Sequence, residues 1–220
     1  ITMTRQFGGK YTDSQANIYY DQSDAAAKGI ELYKRNFDAG YWRIAGEDRY
    51  LSGPFNNEDV YMFAGSTAGS AYVGSDMFEW DSVPLPQVAG GPKAVIQQGT
   101  NVFLMNQGKT PEEVYAGYVF IKYLASKEAN LYWAMNTGYL PIRQSVVDSA
   151  EYQALLAEGT DSTKKSGPAQ GDYYFYDPGF YTSDFTSYDV RVAVGTAVEE
   201  ALLNDMEPKM AVKAAADKFR

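Results

Sequence analysis

The 220-residue chain contains no cysteine and no histidine. Without cysteine it forms no disulfide, offers no thiolate to a metal, and carries no sign of its redox compartment. Without histidine it lacks the commonest general base and the commonest metal ligand. Ser-His-Asp and Cys-His mechanisms are therefore impossible within this chain. No apolar run approaches the eighteen or so residues of a membrane span. Positive charge is also scarce: 19 Lys and Arg face 28 Asp and Glu, for a net charge of −9. That balance argues against binding nucleic acid or an anionic membrane through bulk charge. The opening stretch, ITMTRQFGGKYTDSQ, has no basic segment followed by an apolar one. No signal peptide is expected in it, and it reads as the interior of a longer protein.

What the chain does have is ring-bearing residues: 19 Tyr, 11 Phe and 3 Trp. Tyrosine joins a flat apolar face to a hydroxyl, which suits a core and a polar, ring-shaped ligand equally well. The remainder is ordinary globular composition, 45% hydrophobic and 21% charged. The length allows one large domain or two small lobes.

Periodicity predicts a mixed α/β chain dominated by helices. Residues Asp21 to Gly40 read as a helix that Ser23 can cap, with Ala26, Ile30, Tyr33 and Phe37 at helical spacing and Gly40 as its stop. Val60 to Ala64 reads as a short buried strand leading into a loop of small residues, Gly65 to Ser70. Residues Ala94 to Asn106 read as a strand pair broken at Gln97–Gly99. The clearest helix start is KTPEEV: Thr110 as N-cap, Pro111 in the first helical position, Glu113 closing a capping box. Its predicted buried stripe is Val114, Tyr118, Ile121 and Leu124–Ala125. A second helix starts at Ser126 and ends at Gly138, and another covers 149–158. Residues 160–189 read as a long loop, polar and then densely aromatic. Two further helices follow, from about Tyr188 to Asn204 and from Pro208 to Arg220, the first lined by Val190, Val194, Ala197 and Ala201. Strands and helices do not alternate as βαβ, which fits a chain crossing between two lobes better than a doubly wound sheet.

Catalytic and metal constellations are hard to find. Glu199 and Glu200 are neighbours on a helix and point apart, as on a solvated face. FNNEDVY matches neither a calcium loop nor a zinc site. AGSTAGS lacks the Lys-Ser/Thr ending of a phosphate loop and can be a plain connection between strands. No cofactor motif is present, so no cofactor, metal or catalytic residue is assigned. Arg191 stands out because a cation in the first turn of a helix opposes the helix dipole and calls for a compensating partner. That partner is a ligand carboxylate, phosphate or sugar hydroxyl, or else Asp184 or Asp189. Asp184, Tyr188 and Arg191 share a face if the helix begins early enough. Tyr139, in the NTGYLPIRQSV corner, is either a core plug or a ligand contact.

In order along the chain, FNNEDVYMFAGSTAGSAYV, VPLPQVAGGPKAVIQQGTNVFLM, KTPEEVYAGYVFIKYLASKEANLYWAMNTGYLPIRQS and YDVRVAVGTAVEEAL resemble the extracellular solute-binding proteins, family 1, of ABC importers. The maltose-binding and glycerol-3-phosphate-binding proteins are its familiar members. The resemblance runs from about Ser23 to the end and corresponds to the later half of such a protein. It implies an α/β, two-lobed periplasmic-binding-protein type II fold, present as a C-terminal fragment. Residues 1–92 would belong to the second lobe, 93–145 would return to the first, and 146–220 would supply second-lobe helices.

The resemblance implies a substrate-binding component that holds a carbohydrate or polyol phosphate in an interlobe cleft without chemistry, then docks on the importer's membrane permease. Ser66 and Thr67 match hydroxyl contacts, and Gly99 a glycine where backbone N–H groups approach the ligand. Tyr139 matches the tyrosine of the GYLP corner, Arg191 a ligand-binding arginine, and Tyr188 a stacking ring. Gln98 stands where relatives carry a second glycine, so it narrows the cleft or adds an amide contact. The expected place is extracytoplasmic, periplasmic or as a cell-surface lipoprotein. Two other readings stand beside this one: a glycoside-active enzyme with two carboxylates in a Tyr-lined groove, and a ligand-free sensory or scaffold domain. The exposed surface of a half-protein also predicts self-association.

Overall fold

The computed structural model describes residues 1–74 and 77–220. In chain order its helices are α1 (Thr2–Gln6), α2 (Ala25–Asp38), α3 (Ser52–Asn56), α4 (Pro111–Leu124), α5 (Lys127–Asn136), α6 (Gln144–Val147), α7 (Ala150–Glu158), α8 (Thr163–Ser166), α9 (Ser187–Leu203) and α10 (Pro208–Asp217). Strands β1 (Val95–Ile96) and β2 (Tyr174–Phe175) pair in parallel, Val95 opposite Tyr174 and Ile96 opposite Phe175. The result is a helix-rich α/β fold. Among the described residues no helix is long and apolar enough to cross a membrane. The chain divides into two compact units: unit 1 holds residues 1–44, 85–98 and 172–220, and unit 2 holds 45–84 and 99–171.

Unit 1 packs α2, α9 and α10 around small side chains. Ala26, Ala27 and Ile30 meet Val190, Ala193, Ala197 and Ala201, with Ala211, Val212, Ala215 and Ala216 closing the core. Alanine at these positions lets helix backbones approach closely. The stripe read from the sequence is recovered, with Ala193 added and Val194 only partly buried. Tyr11 and Tyr20 stack at 5.5 Å in the same core, and burial raises both phenols above their ordinary value. Helix α2 starts later than expected, two residues after Ser23, whose hydroxyl accepts the Ala25 N–H at 3.4 Å.

Unit 2 is built around far less. Its buried apolar cluster is Ala134, Val146 and Tyr152, with Leu131, Leu155 and Leu156 against it. The helix starts were legible: Thr110 and Glu113 form the capping box, Pro111 is the first helical residue, and Ser126 and Ser149 cap α5 and α7. The buried stripe of α4 is corrected. None of its residues is buried, and Tyr118 and Leu124 are exposed. The strand at Val60–Ala64 and the second half of the strand pair at 94–106 are also corrected: only β1 forms. Among the described residues, 60–64 and 99–105 make no backbone-to-backbone hydrogen bond. A β-rich pattern becomes a strand only where a neighbouring backbone completes its ladder, and among the described residues none pairs with these stretches. Tyr61, Met62, Phe103 and Met105 are accordingly exposed.

Candidate functional site

In unit 2 the corner after α5 is set by hydroxyls and one glycine. Thr137 leaves the helix in an extended conformation. Its hydroxyl donates to the Trp133 carbonyl at 2.7 Å and accepts the Tyr139 N–H at 3.2 Å. Gly138 is buried against the loop predicted at 65–70, which is a 3-10 helix over Thr67–Tyr72 rather than a plain connection. A Cβ on Gly138 would overlap the Thr67 carbonyl and stand 2.6 Å from Ser70 Oγ. Only glycine permits that approach, and it brings the Tyr139 corner beside Ser66 and Thr67. Ser66 caps the 3-10 helix, its Oγ accepting the Ala68 N–H at 3.3 Å.

Tyr139 is half-buried. Its hydroxyl shares a hydrogen bond with Thr100 Oγ1 at 3.0 Å, and its ring lies 5.9 Å from that of Trp133, tilted by 48°. Thr100 follows Gly99, so the Gly99 backbone belongs to the same neighbourhood. No protein atom stands where a Cβ on Gly99 would lie. Unit 2 thus brings together four residues singled out in the sequence, Ser66, Thr67, Gly99 and Tyr139, and adds Thr100 and Trp133.

Beneath this corner sits a residue that the sequence reading passed over. Lys164 on α8 is buried, with its side chain 4% exposed. Its ammonium donates to the carbonyls of Ala134 at 2.8 Å and Thr137 at 2.5 Å, and pairs with Asp161 at 3.6 Å. Asp161 in turn accepts from Ser70 Oγ at 2.9 Å. A cation on the last carbonyls of α5 satisfies groups the helix leaves open and favours the negative end of its dipole. No sequence signal marks Lys164, since DSTKKSG reads as an exposed polar stretch.

In unit 1 the partner that Arg191 calls for is Asp177. Arg191 Nη2 lies 3.2 Å from Asp177 Oδ2, with side chains 46% and 5% exposed respectively. The local pairings read from the sequence are corrected. Helix α9 begins at Ser187, so Asp184 lies outside it, and Asp189 is occupied in a capping box with Thr186. The Thr186 hydroxyl and backbone N–H hold the Asp189 carboxyl below its ordinary value. Tyr188 and Arg191 remain three apart on one helical face, with Tyr188 exposed. The Gln98 amide, turned with its oxygen to the guanidinium, accepts from Nη1 at 2.8 Å and Nη2 at 3.0 Å. Unit 1 therefore joins Gln98, Tyr188 and Arg191. The acid among the rings of YYFYDPGF was the available hint to Asp177.

The unit 2 group offers hydroxyls and aromatic faces and the unit 1 group an amide, a guanidinium and a phenol, all groups that bind polar ligands without needing to transfer a proton. Among the described residues no cluster of three acidic side chains stands ready for a metal ion.

A family model described as bacterial extracellular solute-binding protein matches residues 1–158. No curated protein matches the chain. Among solved structures, UgpB from Mycobacterium tuberculosis in complex with glycerophosphocholine is similar at 16% identity and a TM-score of 0.75, over 99% of this chain and 54% of that one. Maltose-bound MalE3 of T. maritima is 20% identical at a TM-score of 0.73, over 99% and 55%. The maltose-maltodextrin binding protein of Alicyclobacillus acidocaldarius is 14% identical at 0.73, over 99% and 58%. At these identities the likeness shows the fold, that of the two-lobed periplasmic binding proteins, and the chain spans little more than half the length of each.

Proposed function

Because the chain belongs to the bacterial extracellular solute-binding protein family, we propose that it is part of the substrate-binding component of a carbohydrate-type ABC importer. It binds a sugar, oligosaccharide or polyol phosphate reversibly, without chemistry, in the interlobe cleft of a two-lobed protein, and hands it to the membrane permease. The protein works outside the cytoplasm, in the periplasm or as a surface lipoprotein. In that whole protein residues 1–92 and 146–220 belong to the second lobe and 93–145 return to the first, a division distinct from the two compact units. The observation that carries the reading is the family match over 158 residues. Similarity to binders of maltose and of glycerophosphocholine supports the ligand class.

The contacts proposed are Ser66, Thr67, Gly99 and Tyr139 from unit 2, and Gln98, Tyr188 and Arg191 from unit 1. The rings of Tyr139 and Tyr188 cover apolar sugar faces, and the remaining groups meet hydroxyls. The test is a thermal-shift screen of the full-length protein against mono-, di- and oligosaccharides and glycerol 3-phosphate, with Arg191→Ala alongside. A ligand that binds only the folded state raises the melting temperature with its concentration. One ligand class should do so, and Arg191→Ala should remove the shift. If no ligand shifts the full-length protein, the ligand-free scaffold reading replaces this one.

We further propose that the chain in isolation associates with a second copy through unit 2. Its accessible surface is 14423 Å², against about 10,000 Å² for a folded monomer of its mass. A stable dimer takes only about 800 Å² from each partner. The exposed side chains of Phe103, Met105, Val119, Phe120 and Tyr123 lie on a segment without a ladder partner among the described residues or on helix α4, none of whose residues is fully buried.

A further inference from the structure

We infer that the ligand bound at Arg191 is a neutral saccharide rather than a phosphate ester. This rests on the binding reading above and narrows it. A guanidinium has five N–H donors and two edges on which two parallel hydrogens can grip a carboxylate or phosphate in bidentate fashion. The terminal edge, one hydrogen each from Nη1 and Nη2, is taken by the Gln98 carbonyl oxygen at 2.8 and 3.0 Å. The lateral edge combines Nε–H with the other Nη2 hydrogen, and Asp177 Oδ2 occupies the latter at 3.2 Å. The two hydrogens left, one on Nε and one on Nη1, lie on different edges and cannot form a fork. Each can still donate singly to a hydroxyl oxygen.

Charge favours a neutral ligand as well. Asp177 is 5% exposed on its side chain, and its Oδ1 has no hydrogen-bond partner among the described residues. Arg191 pairs with Asp177 at 3.2 Å, so that carboxylate offsets its charge at close range, and the Ile1 ammonium lies within electrostatic reach of both. Gln98 and Tyr188, the other contacts proposed in unit 1, are uncharged. The chain as a whole is at −9, so its field repels phosphate as well. A site with single donors, neutral acceptors and rings matches the hydroxyls and apolar face of a sugar.

The experiment is calorimetric titration of the full-length protein with maltose, maltotriose, glucose and glycerol beside glucose 6-phosphate, glycerol 3-phosphate and glycerophosphocholine. A neutral saccharide should bind, with each phosphate compound at least roughly tenfold weaker than the best neutral one, a difference of about 1.4 kcal/mol. Gln98→Ala frees the terminal edge and Asp177→Asn frees the lateral one. Either variant should gain phosphate affinity that falls as salt rises, and using both guards against one failing to fold. A phosphate ester that equals or exceeds its unphosphorylated parent on the unsubstituted chain overturns the inference while leaving the binding reading intact. If no compound of either class binds, the binding reading falls and this inference with it.

Discussion

Lys164 makes the most demanding prediction because so much of unit 2 meets at its ammonium. Lys164→Met keeps an unbranched apolar stem of similar reach and removes the charge and its donors. The carbonyls of Ala134 and Thr137 then lose bonds of 2.8 and 2.5 Å, and Asp161 loses its cation at 3.6 Å. A buried polar group left without a partner costs about 1–3 kcal/mol. Asp161 is 21% exposed, so water compensates part of its loss. The three changes together predict a loss of about 2–4 kcal/mol from unit 2. Urea unfolding followed by tryptophan fluorescence measures it directly. Trp80 and Trp133 lie in unit 2 and Trp42 in unit 1, so a Trp42→Phe background isolates the signal. With a slope of about 1–3 kcal/mol per molar urea, the midpoint should fall by about 1 M or more. A midpoint within about 0.2 M of the parent would show that the Lys164 contacts are not what holds the corner, and the reasoning would be wrong.

Gly138→Ala places a methyl against the Thr67 carbonyl and Ser70 Oγ. Overpacking on backbone predicts a loss of about 1–3 kcal/mol in the same urea assay and a displaced Tyr139; an unchanged midpoint would refute the close approach. Asp13 is held down to about 2, first by the Asn17 side-chain amide, then by the Asn17 backbone N–H, the Tyr19 hydroxyl and the Gln15 N–H. A depressed carboxyl stabilises the fold above its ordinary value of 3.8, and that contribution disappears as pH falls toward about 2. An NMR titration of the Asp13 carboxyl should show the low midpoint, and Asp13→Asn should flatten the acid limb of the melting curve. Light scattering of the isolated chain should report a mass that rises with concentration above 24.4 kDa; a constant monomer mass would remove the self-association proposal.

Much of the helical layout was legible because its signals are local. Thr110, Pro111 and Glu113 act within four consecutive residues, and Val190, Ala197 and Ala201 recur on one face of one helix. The strand at 60–64 and the second half of the strand pair at 94–106 do not form, for the opposite reason. Their residue types favour β-structure, but a ladder needs a second backbone, and the alternation of side chains says nothing about whether one is near. The stripe of α4 failed in the same way: periodicity marks a face able to be buried, and among the described residues it is only partly covered, with Leu104 against Gly117 and Val114 and Ile121 half-buried. At the candidate site, Arg191 was marked by a local conflict with the helix dipole, while Asp177, fourteen residues earlier, could be paired with it only in three dimensions.

By itself, the sequence determined which chemistries this stretch of chain lacks the side chains for and where several of its helices begin. The absence of histidine and cysteine, the net negative charge and the capping boxes are properties of single residues or near neighbours. They hold whatever the packing. Only the tertiary structure decided which groups stand together. It set Gly138 on the 3-10 helix at Thr67, Lys164 under the carbonyls of α5, and Asp177 with Gln98 around Arg191. Those pairings depend on distances between segments remote in the chain. They are fixed by close packing and by the cost of leaving a buried polar group unpaired, and no local pattern encodes either.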